Sequence, residues 1–164
     1  LEEQLERYRF FSRVGAFGIR PGLPRSAVEA LSYSARVLAD PGHALCIFPQ
    51  GVLRPWGVRP LALQRGLERV LRLHGGAVAL LPLAIRCELL ADQRPEVFFL
   101  MDRCHTVSAG TFQGVAWLEQ EMAGQLARLQ EAIVRGEQGR PLVEGRPPVS
   151  ERWDRFARTL GSRR

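Results

Sequence analysis

The sequence predicts an α/β fold, with a mostly parallel or mixed sheet carrying helices on both faces in a single domain. Short apolar runs bounded by Gly and Pro alternate with segments of helical period, and the links between them are brief. Strand, helix, strand, helix, strand follow one another in that order, the pattern that βαβ units require. With 164 residues, 46% of them apolar, the chain has enough material for one core.

Each element has its own signal. Leu1, Leu5 and Tyr8 fall at helical spacing in a charged segment that closes on Phe10-Phe11. Residues 14–19, a Gly-broken apolar run, read as the first strand. Pro21, Gly22 and Pro24 make a turn. Val28, Leu31, Ala35 and Leu38 then mark an amphipathic helix, which Asp40-Pro41-Gly42 ends. Residues 44–48 read as a strand covered on both faces. A helix over residues 63–73 turns Leu67, Val70 and Leu71 inward and stops at His74-Gly75-Gly76, leading into a strand over residues 77–87. Residues 96–101, rich in Val and Phe, form a further strand. The longest helical pattern, residues 111–134, carries Trp117, Met122, Leu126, Leu129 and Ile133 as its apolar stripe. The domain therefore spans residues 1–134. Residues 135–164 form a basic extension rich in Gly, Pro and Arg, whose Trp153, Phe156 and Leu160 are expected to pack back on the domain, a lipid interface being the alternative for this basic segment with one aromatic face.

A formal net charge of +6 favours anionic partners: lipid headgroups, nucleotide phosphates or nucleic acid. Nucleic acid is the poorest fit, because the arginines are scattered and no helix-turn-helix, zinc knuckle or aromatic-interleaved basic strand occurs. No window reaches the roughly 20 apolar residues of a spanning helix, and Pro82 interrupts the longest apolar stretch. Cys46, Cys87 and Cys104 lack C-x-x-C spacing, so neither a disulfide framework nor a metal site is expected, and a reducing, cytoplasmic setting fits. Cys46 and Cys87 fall in expected strands as small core residues. Cys104 and His105 are neighbours in an extended segment, which sends their side chains to opposite faces and argues against a thiol nucleophile. The chain starts without Met directly in a helical pattern, and reads as a piece of a longer polypeptide.

The most informative stretch is residues 44–60, where an apolar run meets a Pro/Gly loop with arginines. Pro49 and Gly51 end the run, so the loop begins at a strand's carboxyl end, where ligands settle in open α/β sheets. Gln50 can donate and accept, Gly51 admits a ligand close to the backbone, and Arg54 and Arg59 offer planar forks for phosphate. A surface turn with solvated arginines is the plain alternative.

The order Gly15-Ala16-Phe17-Gly18-Ile19-Arg20, then Phe48-Pro49-Gln50-Gly51, then Leu81-Pro82-Leu83-Ala84-Ile85 resembles the glycerolipid (lysophosphatidic acid type) acyltransferase family. That family carries His-x4-Asp, Gly-x-x-Phe-Ile-x-Arg, Phe-Pro-Glu-Gly-Thr-Arg, and a strand with Val-Pro-Ile. The likeness covers the second to fourth blocks, from Val14 to about Arg86, and the third is the most specific. Residues 8–15 also look like the lead-in of bacterial members. The resemblance implies transfer of a fatty acyl group from acyl-CoA or acyl-ACP, a co-substrate and not a bound cofactor, to a hydroxyl of a lysophospholipid or glycerol-type lipid. It implies substrate binding by Arg20, Phe48, Pro49, Gln50, Gly51 and Arg54, and a protein peripheral to the inner face of the membrane, drawn to its anionic lipids. The catalytic His and Asp it implies belong to the first block, which is expected before Leu1, so the chain alone is expected to be inactive. In that chemistry a neutral imidazole held by a carboxylate takes the proton of the attacking hydroxyl.

The chain departs from the family at several positions. Phe48 stands five residues after His43, Ala79 after His74 and Gly110 after His105, so none has the family's Asp. Gln50 replaces Glu, Val52-Leu53 replaces Thr-Arg, and Arg54 arrives one residue late. Arg20 follows Ile19 directly. These changes point to an acceptor other than ordinary lysophosphatidic acid. A non-catalytic lipid- or phosphate-binding module on the same scaffold is the second reading. A nucleotide-binding domain ranks last, since neither G-x-G-x-x-G nor G-K-[ST] occurs.

Overall fold

A computed structural model describes residues 9–20, 22–90, 94–137, 139–143 and 145. The residues Leu1, Leu5, Tyr8, Trp153, Phe156 and Leu160, on which the terminal helical expectations rest, lie outside that set. The described elements are α1 (Arg9–Arg13), α2 (Pro24–Leu38), α3 (Gly66–His74), β1 (Val78–Leu80), β2 (Leu83–Leu89), β3 (Pro95–Met101), β4 (His105–Val107) and α4 (Val115–Val134). They divide into two compact units, Leu1–Pro82 with Arg103–Glu121, and Leu83–Asp102 with Met122–Arg164.

The class is mixed α/β, but every strand pair among the described residues is antiparallel: β1 with β4, and β2 with β3. Residues 14–19 and 44–48, expected as the first two strands, have no ladder partner among the described residues, and most of their side chains are exposed. An apolar run becomes a strand only where another backbone satisfies its N–H and C=O groups. The strand expected over residues 77–87 breaks at Leu81-Pro82, so that β1 and β2 pair with different partners. Proline brings no N–H to a ladder, which accounts for the break.

In the first unit, Pro24 opens α2, where the missing N–H of proline costs nothing. Its inward residues are Ala30, Ser34 and Ala35, while Val28, expected inside, is exposed. Small side chains let α3 come close, and the buried Ser34 hydroxyl is satisfied by donating to the Ala30 carbonyl at 2.8 Å. On α3, Leu67, Val70 and Leu71 are buried as expected. The helix ends at Gly75, whose φ of +74° lets its N–H reach the Leu71 carbonyl. Leu61, Leu63, Val107 and Leu118 complete this core. The Glu68 carboxylate receives the Val115 N–H at the start of α4 at 3.3 Å, a favourable place for negative charge, and Arg65 and Arg72 flank it.

In the second unit, β2 and β3 pair from Leu83 opposite Met101 to Leu89 opposite Pro95. The Gln125 amide donates to the Leu100 carbonyl at 2.7 Å and fixes the second half of α4 against β3. The face that the α4 pattern buries most completely is Leu118, Gln125 and Leu129. The expected stripe was right at Leu129, whereas Trp117, Met122, Leu126 and Ile133 are only half-buried. Cys87 and Cys46 are exposed, contrary to their expected core positions.

Candidate functional site

Residues 49–64 form a loop whose base is closed by its own hydrogen bonds. The Gln64 N–H donates to the Pro49 carbonyl at 2.7 Å, and the Gln50 side-chain amide donates to the Leu61 carbonyl at 3.1 Å. Close ends joined in this way define a compact surface loop. Its entry is a β-turn in which the Gly51 N–H returns to the Phe48 carbonyl at 3.2 Å, with Pro second and Gly fourth, as such turns favour. Gly51 sits at φ +69°, a conformation that favours glycine. A second turn joins the Val58 N–H to the Pro55 carbonyl, and the Arg59–Pro60 peptide is cis.

The far end of the loop is anchored by Glu119 on α4. Its carboxylate accepts from the Ala62 N–H at 3.1 Å and the Leu63 N–H at 3.2 Å. Ala62 has φ +54°, a conformation that costs a residue with a Cβ about 1 kcal/mol, and the charged acceptor offsets that cost. Long-range anchoring of this kind leaves no local sequence signal: Glu119 is 57 residues from Ala62.

The loop sorts the expected binding residues. Gln50 acts first as a strut through its amide nitrogen, and its Oε1 has no protein donor among the described residues. Arg59 turns inward on the loop, donating from Nη1 to the Trp56 and Val58 carbonyls at 3.0 and 2.9 Å. Arg54 is exposed and has no hydrogen-bond or ion-pair partner among the described residues. It is the arginine that the loop presents outward. Phe48, expected in a core or pocket wall, is 79% exposed, and Pro49 is half-buried beside it. Arg20 lies at the entry to α2, where its backbone N–H donates to Ser26 Oγ at 3.0 Å. Phe17 meets Tyr33 of α2 edge-to-face at 4.8 Å, and Phe10 meets Phe11 in the same manner at 5.8 Å.

A carboxylate-held imidazole escaped the sequence reading, because the acid precedes the histidine by three residues. His43 Nδ1 lies 2.9 Å from Asp40 Oδ2, and Asp40 Oδ1 accepts the Gly42 N–H at 2.9 Å. The Gly42 N–H first, and the His43 charge second, hold the Asp40 carboxyl below its ordinary value. Both side chains are more than half exposed, at 61% and 58%. Cys104 and His105, expected on opposite faces, both line one open recess of about 280 Å³ with Thr111, Gln113 and Trp117. His105 sits edge-on to Trp117 at 5.0 Å, and no hydrogen bond links it to Cys104. Among the described residues no cluster of His, Cys, Asp or Glu could hold a metal ion, and no helix is long and apolar enough to cross a membrane.

No family model, curated protein or solved structure matches this chain.

Proposed function

We propose that this chain is part of an O-acyltransferase that moves a fatty acyl group from acyl-CoA or acyl-ACP to a lipid hydroxyl, working at an anionic membrane surface. The observation that carries the reading is Arg54: a guanidinium with no partner among the described residues, on a loop with a fixed base, within the block most like the acyltransferase family's third motif. A planar fork free of protein partners is suited to a phosphate or phosphodiester on the acceptor. The Gln50 Oε1 beside it offers an acceptor for a hydroxyl. A parallel or mixed sheet with helices on both faces belongs to the same reading, with residues 14–19 and 44–48 as the segments that would join it. Arg20 is a second anion contact in this proposal, and the exposed Phe10, Phe11 and Phe17 offer apolar surface to an acyl chain.

The second reading, a lipid- or phosphate-binding module without catalysis, is favoured by one observation. No histidine of the chain is followed by Asp at the family's spacing. Thiol release from acyl-CoA by the full-length gene product, across a panel of lysolipids, decides between them. Acceptor-dependent release supports the enzyme; acceptor binding with no release supports the module. Within the enzyme reading, Arg54→Ala raises the acceptor KM about tenfold or more, the worth of one charged hydrogen bond. An unchanged KM removes Arg54 from the site. His43→Ala keeps full release, because the Asp40–His43 pair is open to water and completes its own turn. Loss of release in that variant would instead make His43 the base.

A further inference from the structure

The apolar side chains at the tip of the 49–64 loop take no part in the contacts that hold its base. Leu53 is fully exposed at 103%, Trp56 at 51%, and Val52 and Phe48 project beside them. Apolar side chains in water are unfavourable, and a loop free to move would fold them back. Here the base is tied at Pro49–Gln64 and Gln50–Leu61 and anchored through Ala62 and Leu63 to Glu119, so the tip is held out. Along the sequence the tip and its flanks carry charge of one sign, although Glu119 holds the loop's far end and Glu68 pairs with Arg65. Between Asp40 and Glu68 the chain has no acidic residue, while Arg54, Arg59 and Arg65 lie there, with Arg54 between Leu53 and Trp56.

The geometry points to this tip as the element that seats the protein on an anionic lipid bilayer, with Leu53 and Trp56 entering the interface and Arg54 meeting headgroup phosphate. An indole ring is amphipathic and settles at the headgroup level, leucine adds apolar area below it, and arginine gains from the negative surface potential. A protruding tip of this shape enters a deformable lipid interface more readily than it fits a protein groove. The inference deepens the acyltransferase reading by naming the membrane-facing element, and rests on it for the choice of a bilayer as partner.

The test is co-sedimentation of the full chain with phosphatidylcholine vesicles, with and without phosphatidylglycerol, containing neither lysolipid nor acyl thioester. Wild type partitions onto the anionic vesicles. Leu53→Ser and Trp56→Ser each lower that partition about tenfold, the effect of withdrawing one large apolar side chain. Arg54→Gln lowers it about fivefold on anionic vesicles and leaves neutral ones unchanged. Unchanged thermal midpoints show that the variants fold, as exposed substitutions should. Two results overturn the assignment: a double variant, L53S with W56S, that partitions like wild type, or wild type that ignores both vesicle types. A dimer in sedimentation equilibrium that L53S dissolves would also overturn it, by making the tip a contact between two copies. Because the vesicles carry no substrate, the two readings fail separately: a full-length gene product that partitions through its tip but shows no acceptor-dependent release sinks the enzyme reading alone, while one that releases thiol but whose L53S W56S variant partitions like wild type sinks this inference alone.

Discussion

Residues 61–71 and residues 48–58 carry five large apolar side chains each, and the two sets have opposite fates. Leu61, Leu63, Leu67, Val70 and Leu71 are all buried, while Phe48, Val52, Leu53, Trp56 and Val58 are all exposed. The two stretches are adjacent in the chain. What separates them is a partner. The first includes a helix whose period gathers its apolar residues on one face against α2, and its lead-in is tied down by a carboxylate from α4. Pro and Gly punctuate the second, so it makes turns and offers no continuous face. Hydrophobicity says what a residue gains by burial, and the backbone decides whether it can be buried.

The largest effect that tests this contrast is a pair of leucine truncations. Leu71 has no exposed surface, so Leu71→Ala removes buried methyl groups and leaves a cavity, costing about 3 kcal/mol. Leu53→Ala should change stability by less than about 0.5 kcal/mol. Urea unfolding of the two variants measures both. Equal losses would break the contrast, since Leu53 would then have a packing partner.

Glu119 is the link between the two stretches, and its removal gives the next largest effect. Glu119→Ala leaves two N–H groups without their charged acceptor and costs about 2 kcal/mol. Glu119→Gln keeps one acceptor oxygen and loses less. Hydrogen exchange sharpens the comparison further. The Ala62 and Leu63 amides should lose protection in Glu119→Ala, while the Leu71 amide keeps most of its own. Unchanged protection at Ala62 and Leu63 would mean that the loop is anchored by something else.

How much of this was legible in the sequence follows the same division. The helices α2, α3 and most of α4 could be read, because their period is local and their ends carry Pro24 and Gly75. The strand at residues 96–101 was legible from its Val and Phe. Sheet pairing was not: residues 14–19 and 44–48 have strand composition, and nothing local says whether a neighbouring backbone accepts their hydrogen bonds. At the site, the turn at Phe48–Gly51 and the outward Arg54 follow from Pro, Gly and charge. The inward turn of Arg59 and the strut role of Gln50 depend on where Trp56, Val58 and Leu61 place their carbonyls, which composition does not encode. Asp40 reads in the sequence as a helix stop, because it precedes His43 by three residues and so does not match a His-x4-Asp spacing.

That turn supplies the smallest effect, and a third case beside the packed and the protruding stretch: a segment shaped by short-range polar contacts alone. Asp40 is more than half exposed, yet its carboxyl is held below 3.8 by the Gly42 N–H and then by His43. A depressed carboxyl value means that the ionised form is favoured by folding. Its contribution is therefore complete above the ordinary carboxylate range and disappears as pH falls through the lowered value. NMR titration of the Asp40 side chain should give a midpoint below 3.8. His43→Ala should return it only part of the way, because the larger cause, the Gly42 N–H, remains in place. A full return in that variant would mean that the histidine alone shapes the turn, and that the backbone contact at 2.9 Å contributes nothing to the entry of the exposed stretch.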